Sequence, residues 1–145
     1  MREILVAGIM SLMILSALSL VNPEVSSLKD SKADNSTMIN LSINIKKPKE
    51  GFLCILDKEI IPTVLGNTLV IGRITVEAEV NSENRVEKVG FYVNDITRNA
   101  DYDMPYQWLW NEALFGKHVL KAEVYDEKGN KAENKTEVII FNLEG

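Results

Sequence analysis

His118, Leu120, Ala122 and Val124 occupy every second position of the stretch Gly116–Asn130, while Lys117, Lys121 and Glu123 occupy the positions between them. A period of two sends those two sets to opposite sides of an extended strand, and a small residue among the inward positions suits a strand packed between two sheets. Asp126–Asn130 then supplies turn residues. The same alternation returns across the C-terminal three quarters of the chain. Ile39, Leu41, Ile43 and Ile45 alternate with Asn40, Ser42 and Asn44, and Ile74, Val76, Ala78 and Val80 alternate with Thr75, Glu77 and Glu79. No run of ten or more residues after Thr37 has helical periodicity, which leaves no elements for a parallel βαβ sheet.

Further extended segments show the same pattern. Phe52–Leu56 is a short apolar run, and Val70–Val80 reads as one strand. Val89, Phe91 and Val93 form another inward set, and Tyr106, Trp108 and Trp110 share one face. Lys135–Leu143 closes the chain, with Val138–Phe141 apolar on both faces. Asp57–Asn67, with Pro62 and Gly66, reads as a loop, and Asn94–Pro105 as an irregular acidic stretch with a short strand near Thr97. About seven strands at this spacing predict an all-β, antiparallel β-sandwich over residues 38–145.

The N-terminus is of another kind. Arg2 precedes Ile4–Val21, an uncharged apolar run of 18 residues. That length falls between the core of a cleavable signal peptide and a membrane-spanning helix, and both readings stay open. In either case Arg2 stays cytoplasmic, so the residues after Val21 are exported, and residues 1–21 attach the chain to the membrane if uncleaved. Asn22-Pro23 ends the apolar helix. Residues 22–37, rich in Ser, Asp, Lys and Asn, read as a flexible polar spacer. The expected organisation is thus residues 1–21 as signal or anchor helix, 22–37 as spacer and 38–145 as the sandwich.

Charge and residue counts exclude several functions. The net charge of −5 disfavours nucleic acid, whose binders cluster Lys and Arg. The single Cys54 forbids an intrachain disulfide and a multi-cysteine zinc site, and reads as a small core residue. One histidine makes a histidine-based metal site or a Ser-His-Asp triad hard to assemble. No GxSxG, HExxH, CxxC or phosphate-binding glycine loop is present, so the chain reads as a non-enzyme with no cofactor. Asp101, Asp103, Asp126, Glu127 and Asn130 are oxygen donors in loops, but they lack the calcium-loop spacing and are accounted for as turn residues. Asn35, Asn40 and Asn134 head N-glycosylation sequons.

Val89-Gly90-Phe91-Tyr92-Val93-Asn94, Pro105-Tyr106-Gln107-Trp108-Leu109-Trp110, and Gly116-Lys117-His118 running to Tyr125-Asp126 and Gly129-Asn130 together resemble the Ig-like domains of exported bacterial and archaeal cell-surface proteins. The resemblance is good over about 86–130 and looser over 38–85. It implies an immunoglobulin-like sandwich that serves as spacer, adhesive or binding module, and it carries no catalytic residues. It assigns structural roles: Phe91 in the place of the strand-C tryptophan, Gly129 in the turn, and His118 as a corner residue bonded to nearby backbone; Trp108 and Trp110 read as core residues from the bulk of their rings. The expected function is adhesion or protein interaction at the cell surface, with an unknown protein or polysaccharide as partner. Two alternatives remain: a carbohydrate-binding protein that stacks sugars on Tyr106, Trp108 and Trp110, and a surface assembly subunit joined through edge strands such as Ile39–Ile45.

Overall fold

In the computed structural model residues 38–145 are described, and they form two sheets from ten strands. In chain order these are β1 (Leu41–Lys47), β2 (Phe52–Ile55), β3 (Lys58–Pro62), β4 (Thr68–Ile71), β5 (Ile74–Ser82), β6 (Val86–Val93), β7 (Ile96–Asp101), β8 (Tyr106–Trp110), β9 (Leu114–Asp126) and β10 (Lys131–Asn142). One sheet has the order β1-β5-β8, the other β3-β2-β4-β10-β9-β6-β7. The apolar segment 1–21 and the spacer 22–37 lie outside the described residues. Among those described, no helix is long and apolar enough to cross a membrane.

The inward sets read from the alternation meet between the sheets. Ile74 and Val76 from the smaller sheet face Val89, Phe91, Leu120, Val124, Val138 and Ile140 from the larger, all fully buried. Each Leu, Val or Phe so buried contributes about 1.5–3 kcal/mol, which lets the sandwich hold without a disulfide. Cys54 is buried in the same cluster as a free thiol. The unit Met38–Gly145 therefore has its own core, the property that lets a domain fold on its own.

The strand count differs from the expected seven in three places, each with a physical reason. Val70–Val80 is two strands in different sheets, because Gly72 takes φ +80° and turns the chain from β4 to β5. The Gly72 N–H donates to the Phe141 carbonyl at 2.8 Å, which fixes the switch point on β10. A Cβ added there would lie 2.6 Å from Leu56 Cδ2. Gly72→Ala is accordingly expected to cost about 1–3 kcal/mol in urea denaturation, and a loss under about 0.5 kcal/mol would refute this account.

The other two corrections are hairpins. Leu56–Asp57 and Asn94–Asp95 each place two successive residues at positive φ, the form of a two-residue turn that matches strand twist. The stretch read as a loop therefore contains β3, and the short strand expected near Thr97 is β7, a full strand over Ile96–Asp101. Asp57 also accepts from the Thr75 N–H at 2.7 Å and the Thr75 hydroxyl at 3.0 Å, and pairs with Lys47 at 2.8 Å, so this turn is tied to the start of β5.

Pairing is not wholly antiparallel. β4 runs parallel to both β10 and β2. The β1 edge is partly closed, since its Ile45 N–H donates to Asn134 Oδ1 of β10 at 3.1 Å. Ile39, expected to begin this strand, is exposed ahead of it.

Candidate interaction surface

The turn that closes Gly116–Asn130 is built around one carboxylate. Asp126 has no exposed surface, and its Oδ1 accepts from the Lys128 and Asn130 N–H groups at 3.0 and 2.8 Å. Its Oδ2 accepts from the Asn130 and Asn84 side-chain amides at 2.9 and 3.0 Å. Gly129 takes φ +81° between them, which lets its N–H reach the Asp126 carbonyl. Burial alone pushes the Asp126 carboxyl up; the donors from Asn130, Asn84 and Lys128 outweigh it and hold the group below its ordinary range. Both carboxylate oxygens are engaged, by this turn and by Asn84 between β5 and β6. Among the described residues no group of three or more His, Cys, Asp or Glu converges as a metal site requires.

His118 stands at the opposite end of β9. Asn94 Oδ1 accepts the Val119 N–H at 2.9 Å, which orients the amide so that its Nδ2 donates to His118 Nδ1, also at 2.9 Å. The proton then belongs on Nε2, which faces the Phe115 carbonyl at 3.4 Å. The ring thus links the β6–β7 turn to the β9 backbone.

Tyr106, Trp108 and Trp110 point between the sheets. Tyr106 and Trp110 are buried and Trp108 is half-buried. Trp108 stacks on Trp110 at 5.7 Å and on Phe91 at 6.1 Å between ring centroids. An indole so enclosed presents no face to a sugar, which removes the stacking platform from this strip. Leu109, between the two tryptophans, is the exposed residue.

The sequons fall in unlike places. Asn40 is exposed just before β1, whereas Asn134 is half-buried with its Oδ1 engaged by Ile45; Asn35 lies outside the described residues.

The outer face of the seven-stranded sheet has two halves. On one half Glu123, although on the outward side of β9, is only 5% exposed. It accepts the Tyr125 hydroxyl, stands 3.5 Å from the Tyr92 hydroxyl, and has Lys131 and Lys121 at 3.8 and 3.9 Å. Gly90, which pairs with Glu123, makes this possible: the Tyr92 ring lies where a Cβ would stand. Burial raises the Glu123 carboxyl, but the Tyr125 hydrogen bond and the two lysines lower it further, and the bond to Glu123 pushes the Tyr125 hydroxyl up. Lys121 covers the Tyr92 ring at 4.4 Å and pairs with Asp95 at 3.0 Å. This half is a self-satisfied polar cluster. Alternation places Glu123 outward, and only the Gly90-x-Tyr92 spacing across the pair signals its cover.

The other half is apolar. Phe115 and Phe141 pack edge to face at 4.7 Å on neighbouring strands and remain 72% and 39% exposed. Alternation leaves both faces of Val138–Phe141 apolar and gives the outer one no role.

Known proteins agree with this architecture. Residues 64–122 match the family model described as Bacterial Ig domain. No curated protein matches the chain. Among solved structures, the fibronectin(III)-like modules of CbhA from Clostridium thermocellum share 25% identity, over 68% of this chain and 94% of theirs, with a TM-score of 0.53. A Jonesia denitrificans lytic polysaccharide monooxygenase overlaps more loosely, at 10% identity over 51% of this chain and 57% of its own, with a TM-score of 0.43. The β-sandwich formed by Met38–Gly145 is thus Ig-like in fold, and residues 64–122 within it match the bacterial Ig domain family.

Proposed function

We propose that the chain is an exported, non-catalytic Ig-like module acting in adhesion or protein interaction at the cell surface. The observation that carries this reading is the bacterial Ig match on a sandwich whose polar clusters are spent on their own turns and sheet faces. The apolar run Ile4–Val21 behind Arg2 and the polar spacer after it supply the route out of the cytoplasm. With Tyr106 and Trp110 buried, sugar stacking on that strip has no surface to use. The test is protease accessibility. A C-terminally tagged chain should lose its tag when intact cells are treated with protease. A tag that is protected in intact cells and recovered in the cytosolic fraction, on a chain with its N-terminus uncut, would overturn export.

A further inference from the structure

The apolar half of the outer sheet face has an order that fits a copy of itself. Across β3-β2-β4-β10-β9 the paired residues Lys58, Ile55, Ile71, Phe141 and Phe115 form one row. Ile61, Leu53, Leu69, Ile139 and Lys117 form the next. All lie on the side away from the core, since Cys54, Val70 and Ile140 between them are buried. β4 is the middle strand of these five, and each row ends in one lysine, at opposite ends of the patch.

We infer that this face pairs with the same face of a second copy about a two-fold axis lying along β4. Such an axis sets Ile71 against its own copy, Ile55 against Phe141, and Leu53 against Ile139. It also sets the Lys58 ammonium over the Phe115 ring and the Lys117 stem over Ile61 of the other copy, so neither lysine opposes a lysine directly. Glu137, paired with Lys117 at 3.8 Å, offsets the charge at that end. Two sheets meeting face to face at about 10 Å is the packing the sandwich already uses internally, and an isologous patch closes as a dimer.

Size fixes the strength. Five strands at about 4.8 Å and two rows about 7 Å apart give roughly 330 Å² per copy. A standard interface buries about 800 Å² per partner, so the free domains associate weakly, with dissociation constants in the high micromolar range. If the chain is held at a surface, as the proposed function has it, local concentrations near millimolar make so weak a pair count.

Sedimentation equilibrium of the Met38–Gly145 unit up to about 1 mM should show a reversible monomer–dimer equilibrium. Ile71→Lys and Phe115→Lys, the second of which sets a lysine against Lys58 of the other copy, should each weaken it about tenfold or more, while Lys131→Glu, on the polar half, leaves it unchanged. Ile71→Cys should be joined to itself by a bismaleimide of about 10 Å reach, the buried Cys54 staying unreactive. Because Phe115 is so exposed, Phe115→Lys still decides the matter if Ile71→Lys fails to fold. Three results overturn the pairing: a strict monomer at 1 mM, a dimer indifferent to both apolar-face variants, or a detergent-solubilised full chain that stays monomeric while the shorter unit dimerises, which would give the face to residues 1–37. A monomer that protease still reaches on intact cells overturns only the pairing, and a dimer found in the cytosol overturns only the export.

Discussion

Trp110→Ala is expected to lower the unfolding free energy by about 3–5 kcal/mol, measured as a fall in the urea midpoint at constant slope. Trp110 is the largest fully buried side chain, paired with Ile74 and stacked on Trp108, which in turn stacks on Phe91. Removing it opens a cavity where the small sheet meets the large one, and the surrounding strands cannot collapse to fill it. Domains of this size are held by about 5–15 kcal/mol, so the variant sits near the limit of folding. Trp110→Phe should lose much less. It keeps most of the ring, and it deletes Nε1, a buried donor that has no hydrogen-bond partner among the described residues. A Trp110→Ala loss under about 1 kcal/mol would show that the indole does not join the sheets.

Asp126→Ala is the second large effect, expected to lower the melting temperature by about 10 °C or more. Four donors converge on this carboxylate, two backbone and two side-chain, and the variant strands all of them, three in the β9–β10 turn and one on Asn84 between β5 and β6. Asp126→Asn should be intermediate, since a single amide oxygen can serve only part of the set. The pH dependence is set by the sign of the shift. The folded carboxyl titrates below its unfolded value of 3.8, so its contribution is complete above that value and is lost as pH falls through the folded value. Stability of the natural chain should therefore drop below about pH 4, and part of that slope should vanish in Asp126→Ala. An unchanged acid slope would mean that other depressed carboxylates, such as Asp57 and Glu123, account for it.

How much of the fold is legible in the sequence depends on what alternation can encode. It locates Ile43, Ile45, Val76, Phe91 and Leu120 in the core because each belongs to a strand with one wet and one dry side. It runs through the sheet switch at Gly72, because Val70 and Ile74 keep the same parity whether the chain continues or turns. It passes over β3, and catches β7 only as a short strand near Thr97, because Leu56–Asp57 and Asn94–Asp95 make their turns without glycine, where composition gives little warning. Parity assigns Glu123 to the outer face correctly but says nothing of cover, which comes from Tyr92 on the neighbouring strand and Tyr125 on its own. The apolar rows are invisible for a related reason. Ile55, Ile71, Phe141 and Phe115 come from four strands, and nothing in any one strand states its neighbours.

The parallel pairing of β4 with β10 has a mechanical consequence. Val138–Phe141 runs alongside Thr68–Ile71 in the same direction, so once β1–β3 have come away, tension between the start of β4 and the end of β10 pulls these strands past each other lengthwise. Hydrogen bonds set across the strands are then loaded in shear and must yield together rather than one after another. Pulled from its ends, the sandwich should resist at this seam, with Gly72 anchored to the Phe141 carbonyl at its end.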